Sequence, residues 1–355
     1  MELNPSVLNL NPGIVRSVEA MFPNLYQRES AWEIAGSAVA ADRCIVRITG
    51  GFTATVGGVA MCFPPQALSL NTAANWDSVA TDYTVASTRA GMDFYLYATV
   101  TGRVVLSANA TVPSGYTAAQ VRQIGGFHCE CLNIGTISGH PLTGFLTGDI
   151  VPMSVWDQLH RPTCSPDGMA WCDQAKLWVD IYLQSGTGAS TASVFGGTIT
   201  DTRIWNDHVD DLFAVGKRML DDSEFQVVAE GSNQKTNITG SVDPVTTGGH
   251  VDTASRRMVS NFGLEDCCGV MHQWLRDQSY RNDDASYLGT WSYYALPGNK
   301  GSIYKQGGSG DVKLLAGGLW YNGTHCGSRC RNASSSRWYT DTIIGSRGCA
   351  RRQGA

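Results

Sequence analysis

Residues 44–107 alternate apolar and polar positions with the two-residue period of a pleated strand. The stretches CIVRITGGFTATVGGVAMCF and FYLYATVTGRVVLSA are rich in Val, Ile, Thr and Tyr and break at Gly pairs or at Thr101-Gly102, a pattern that predicts antiparallel hairpins. A short helical piece at residues 117–123 ends in Gly125-Gly126, after which the composition turns toward Trp, Cys and Pro. That change places a domain boundary between residues 124 and 125, with an all-β domain over 1–124. Farther along, the period lengthens. In residues 206–225 the positions Val209, Leu212, Phe213, Gly216, Met219 and Leu220 recur at helical spacing, with acids leading and Lys217 and Arg218 trailing as a helix dipole favours. In residues 263–278 the stripe Leu264, Cys267, Cys268, Met271, Trp274 and Leu275 predicts a second amphipathic helix. No helical pattern follows Ser279, so residues 125–355 read as an α+β domain of two helices and then strands and loops.

Composition narrows the function classes. The chain of 355 residues can bury full cores without disulfide staples. Its net charge is -5 and its one basic cluster is residues 347–352, which argues against nucleic acid as a partner. Forty glycines and only 16% charged residues predict abundant turns. The start, MELNPSVLNLNPG, lacks the basic and apolar regions of a signal peptide, and no apolar run approaches the ~20 residues of a membrane span. The expectation is a soluble chain made in the cytoplasm, with no membrane insertion. Eleven cysteines, none in a CxxC pair, point to buried thiols and not to a disulfide framework or zinc ribbon. No nucleophile elbow, zincin helix, phosphate loop or dinucleotide fingerprint is present. The acids of Asp221-Asp222 and Asp283-Asp284 are adjacent and diverge, while His128, His208 and His272 read as structural. The chain is not expected to be an enzyme.

The densest chemistry lies in residues 317–349, GGLWYNGTHCGSRCRNASSSRWYTDTIIGSRGC, which interleave two sets of residues. One set suits a rigid frame: Gly317, Gly318, Trp320, Arg329, Arg331, Trp338 and Arg347. Glycine serves where no Cβ fits, arginine where several carbonyls need one planar donor, and tryptophan where area must be buried. The second set has no shared chemistry: Leu319, Tyr321, Asn322, His325, Ser334, Ser335, Ser336, Tyr339, Asp341 and Ile343. Taken alone, Ser334-Ser335-Ser336 is also compatible with an ordinary flexible turn.

The order of linked motifs is more specific than any one of them. A helix ending in KRMLDDSEFQVVAEG is followed by HVDTASRRMVSNFGLEDCCGVMHQWLRD, then LLAGGLWYNGTHCGSRCRN and IIGSRGCAR. Over residues 125–355 this resembles the C-type-lectin-like fold in the version shared by formylglycine-generating enzymes and the variable proteins of diversity-generating retroelements. In those variable proteins a reverse transcriptase misreads template adenines, so asparagine-type codons change at fixed positions while the frame is kept. Leu, Tyr, Asn, His, Ser, Asp and Ile can all arise in this way, which is the membership of the second set.

The resemblance implies a receptor-binding adhesin of a phage tail-fibre tip, located on the virion and assembled in the host cytoplasm. It would bind a host cell-surface receptor, protein or glycan, associate with phage tail components and form a homotrimer. No cofactor is implied, and structural calcium is left open. The ten variable side chains should form one exposed face above a buried frame, and the N-terminal domain would serve attachment or oligomerisation. An alternative is a bacterial cell-surface or cytosolic variable protein. The weaker alternative is an oxidase: formylglycine-generating enzymes place the first of two copper-binding cysteines just after the Trp, where this chain has Tyr321 and Asn322, leaving Cys326 and Cys330.

Overall fold

The computed structural model describes residues 25–281, 290–293, 302–305 and 310–354. The opening stretch and Asp283-Asp284 lie outside them. Contacts divide the chain into two compact units, Met1–Leu132 with Phe145–Arg161, and Asn133–Gly144 with Pro162–Ala355.

The first unit is built from β1 (Tyr26–Arg28), β2 (Glu33–Ile34), β3 (Ile45–Ile48), β4 (Phe52–Val56), β5 (Val59–Phe63), β6 (Gln66–Ser69), β7 (Asp93–Thr99), β8 (Val104–Ser107), β9 (Val121–His128) and β10 (Trp156–Asp157). They form sheets of order β1-β4-β5, β2-β3-β6 and β10-β9-β7-β8. The expected hairpins are present. Gly57 and Gly58 turn β4 into β5 with φ of 58° and 80°, values that suit a tight hairpin turn and disfavour side chains. The apolar faces meet in one core around Phe52, Phe94, Leu106 and Phe127.

The boundary expected between residues 124 and 125 falls inside β9, whose residues pair with β7 from Val121 to His128. Gly125 and Gly126 do not terminate a helix. A Cβ on Gly125 would stand 2.4 Å from the Trp156 carbonyl, and one on Gly126 would stand 2.6 Å from that of Phe94. These glycines allow close strand approach, and the first unit continues to Leu132.

The second unit holds β11 (Met169–Cys172), β12 (Leu177–Asp180), β13 (Arg218–Met219), β14 (His272–Arg281), β15 (Thr290–Tyr293), β16 (Ser302–Lys305), β17 (Gly310–Gly317), β18 (Gly327–Ser336), β19 (Ile344–Gly345) and β20 (Gly348–Arg351). Their sheets run β11-β12-β20-β13 and β15-β16-β18-β17-β14-β19. The described helices are short: α1 (Trp205–Ala214) and α2 (Asp222–Val228). None of the described helices is long and apolar enough to cross a membrane.

The molecule is therefore mostly β, with less helix than the periodicity predicts. The single helix expected over residues 206–225 is cut by Gly216, at φ 75°, and by β13. α1 buries His208, Asp211 and Leu212, while Phe213 is exposed. The second expected helix is absent. Gly263, Asp266 and Gly269 have φ of 80°, 60° and 74°, which an α-helix cannot accommodate, and β14 begins at His272. Leu264, Cys267, Cys268, Val270, Met271, Trp274 and Leu275 are all buried, so apolar side chains surround this segment and its helical spacing carries no face.

Candidate ligand-binding face

The 317–326 segment is held by backbone conformations that only glycine tolerates well. Gly317 and Gly318 have φ of 88° and 80°. A Cβ on Gly317 would lie 2.4 Å from the Cys267 carbonyl oxygen, and one on Gly318 would lie 2.9 Å from Cys326 Cα. Beyond them the chain turns on itself: Asn322 N–H donates to Leu319 O at 3.0 Å, and the Asn322 Oδ1 accepts from Leu319 N–H at 3.2 Å. Asn237 clamps this turn from another loop. Its Nδ2 donates to the Trp320 carbonyl and its Oδ1 accepts from Gly323 N–H at 3.0 Å.

Trp320 packs one side against Leu183, Ile199, Ile238, Met258, Val270 and Met271 and is only partly buried. Tyr321 stands edge-on to it, with ring centroids 4.5 Å apart. Trp320→Ala is expected to cost about 2–3 kcal/mol in urea melts, below the 3–5 kcal/mol of a fully buried aromatic, because part of the indole already meets water.

Two arginines act as planar connectors. Arg331 pairs through Nε with Asp222 Oδ1 at the start of α2, donates through Nη1 to Cys330 O at 2.7 Å and Ser328 O at 3.1 Å, and lies over the Phe225 ring at 5.2 Å. Arg347 is 1% exposed. It bonds Gln273 Oε1 at 3.0 Å, the Asp180 and Ile181 carbonyls at 2.7 Å each, and the Glu265 carbonyl.

The structure departs from the expected split at several positions. Leu319 is 2% exposed and Ser335 6%. Leu319 bridges Val270, and Ser335 sits opposite Lys313 in the sheet, so neither belongs to an open surface. Ile343 is half-buried against the cluster of Leu212, Met219, Trp274, Leu315 and Ile344. Conversely, Trp338 is 67% exposed and Arg329 is exposed. Trp338 follows the end of β18, while Arg329 is the one exposed residue among buried Gly327, Ser328, Cys330 and Arg331. Neither is buried frame.

What the fold gathers is Tyr321, Tyr339 and Asp341. Tyr321 and Tyr339 are 52% and 42% exposed. Tyr339 Oη donates to Asp341 Oδ2 at 2.6 Å, and this bond, with burial and the Asp341 charge, pushes the Tyr339 hydroxyl up to about 12. Burial and the same carboxylate raise Tyr321. Asn322 and His325 are half-buried on the same turn as Tyr321, whereas Ser334 and Ser336 occupy the end of β18. Ser334 Oγ donates to Asn332 Oδ1 at 2.5 Å.

Two members of this face carried no sequence signal. Asp243 is raised by burial and by the charges of Asp201 and Asp341, so the three carboxylates share one locality. Asp243 is flanked by Val242 and Val245, which are 63% and 75% exposed. The face thus sets aromatic rings beside carboxylates, chemistry suited to a partner carrying positive charge at its contact.

The thiols beneath offer little reactivity. Cys326 and Cys330 are fully buried and unpaired with each other. Burial raises both, Cys330 to about 12, which disfavours the thiolate that copper or nucleophilic chemistry needs. Among the described residues no group of three or more His, Cys, Asp or Glu has metal-holding geometry.

Comparison with known proteins gives four likenesses. Residues 37–157 match the family described as Mtd second domain. The tail fiber receptor-binding protein of Bordetella phage BPP-1 is 27% identical over 292 residues, which cover 76% of this chain and 73% of the relative. In structure, the chain is similar to the Major Tropism Determinant P3c variant, with a TM-score of 0.71 and 23% identity over 94% of this chain and 87% of that one. It is also similar to the U1 variant, with a TM-score of 0.67 and 25% identity over 91% of this chain and 86% of that one. The resemblance to the variable proteins of diversity-generating retroelements, drawn from the C-terminal motifs, is borne out. It also extends farther toward the N-terminus than those motifs, into residues 37–157.

Proposed function

We propose that this chain is a receptor-binding adhesin at a phage tail-fibre tip, which presents retroelement-diversified side chains on a rigid lectin-like frame. The observation that carries this reading is the gathering of exposed Tyr321 and Tyr339 with half-buried Asp341 beside a turn fixed by Gly317, Gly318 and Asn237. The relative named as a tail fiber receptor-binding protein supports it. Large aromatic side chains with few rotatable bonds supply much contact energy at low entropic cost.

In this reading the second unit, Asn133–Gly144 with Pro162–Ala355, is a C-type-lectin-like domain of the formylglycine-generating-enzyme type, used for binding and not for catalysis. The N-terminal β-rich domain serves attachment to the tail or oligomerisation. The protein works as a homotrimer on the virion, where avidity multiplies weak single-site affinity by ~10²–10⁴. Side chains alone make the contact, with no cofactor. The diversified positions on the surface are Tyr321, Asn322, His325, Ser334, Ser336, Tyr339 and Asp341; Leu319, Ser335 and Ile343 tolerate only substitutions that fit their buried sites.

The test is to exchange those seven surface positions together in a recombinant chain and to measure adsorption to a panel of bacterial hosts. The expected result is a changed or lost host preference with an unchanged urea melt. Unchanged preference in a folded protein would overturn the reading.

A further inference from the structure

The second unit contains a cavity of about 610 Å³ that shares no lining residue with the aromatic face. Loop 137–140, α2, the loop after α2 and the first residues of β18 enclose it. The size falls within the range of small-molecule sites, but the lining does not resemble the usual apolar pocket. It carries Glu230, Gln226, Arg256, Asn261, Ser328 and Arg329, and no Phe, Tyr or Trp.

Three of these groups are available to a ligand. The side chains of Glu230, Asn261 and Arg329 make no hydrogen bond or ion pair among the described residues. Arg256 is held at the wall by the carbonyls of Gly231 and Arg257, the latter at 3.3 Å. His140, also in the lining, is lowered by burial and by the Arg256 charge. Arg256 is already faced by the Asp252 carboxylate, which leaves Arg329 as the cation free to meet an anion in the cavity.

A guanidinium prefers a planar anion that it can hold through two parallel bonds. The carboxylate of Glu230 and the amide of Asn261 suit hydroxyl groups, which both donate and accept. A neutral sugar would lack the aromatic platform on which it could stack. We propose that this cavity is a fixed binding site for a carboxylate-bearing saccharide, a uronic acid unit, with Arg329 as its anion contact. This goes beyond the adhesin reading and accounts for an exposed arginine standing among variable positions: Arg329 serves a second site that stays constant.

The test is calorimetric titration of the full chain with a disaccharide ending in glucuronate, the same disaccharide ending in glucose, and inorganic phosphate. The glucuronate form is expected to bind, with the glucose form and phosphate each at least about tenfold weaker. Arg329→Ala should weaken the glucuronate form about tenfold, Arg329→Lys less, and Tyr339→Ser not at all, with unchanged melts because Arg329 is exposed. Absence of binding, equal binding of the glucose form or of phosphate, or an Arg329→Ala variant with unaltered affinity would each overturn the proposal. None of these outcomes depends on host adsorption, so failure here is distinct from failure of the adhesin reading.

Discussion

Arg347→Ala is expected to destabilise the chain by about 4 kcal/mol or more, whereas Tyr339→Ser should cost less than about 0.5 kcal/mol. The Arg347 guanidinium is buried and serves four acceptors from three separate stretches of chain, Asp180 and Ile181, Glu265, and Gln273. Its loss removes a donor from each of these acceptors, of which the Ile181 carbonyl still keeps the Glu265 N–H; an acceptor left unsatisfied costs about 1–3 kcal/mol, and the space of the missing side chain adds to this. Arg347→Lys should be intermediate, since an ammonium cannot span these positions in one plane. Tyr339 is 42% exposed, and the partner it would lose, the Asp341 carboxylate, can turn to water. Equilibrium urea melts of the three variants decide the matter, and equal costs for Arg347→Ala and Tyr339→Ser would contradict a rigid frame beneath a tolerant face.

The hairpins were legible because their signal is local. Gly57-Gly58 and Thr101-Gly102 sit between stretches of period-two alternation, and the strands β4, β5, β7 and β8 follow. Residues 263–275 misled for the opposite reason. A segment packed on every side has apolar residues at most positions, so a helical stripe can be found in it by chance, and the evidence against a helix lies in backbone φ at Gly263, Asp266 and Gly269. Gly125-Gly126 could be read as a stop or as a close approach, and only the position of Trp156 opposite β9 distinguishes them.

The site divides along the same line. Gly317, Gly318 and Arg347 were identifiable because their chemistry allows few roles, and each occupies a position that demands it. Which way a strand residue faces was not readable, so Ser335 and Arg329 exchange their expected exposures. Asp201 and Asp243 come to Asp341 only through tertiary folding. A sequence window on 317–349 therefore gives the variable part of the face without the fixed carboxylates that set its charge.

Acid should weaken folding through two buried imidazoles, and His208→Asn should remove one share of that effect. His208 and His272 are 0% and 1% exposed. Burial lowers each from 6.5 to about 4, because charging them would mean placing a cation away from water. At pH 7 both are neutral in the folded and unfolded chains and contribute nothing. As pH falls below 6.5 the unfolded chain takes up protons that the folded chain refuses, so stability drops until about pH 4, by about 3 kcal/mol for each group. The His250–Asp266 pair does not offset this within that window: the raised His250 is charged in both states below 6.5, and the lowered Asp266 matters only below its unfolded value. Asp157, Asp180 and Glu265, raised by burial, act in the opposite sense, so the total slope is a poor readout and the variant is the discriminating one. Asparagine can keep the bond that His208 Nδ1 makes to Gln184 Oε1 at 2.8 Å without titrating. Urea melts at pH 7 and pH 4 should show the stability difference between His208→Asn and the parent shifting by about 3 kcal/mol in favour of the variant. Parallel pH dependence of the two proteins would mean that His208 takes its proton in the folded state.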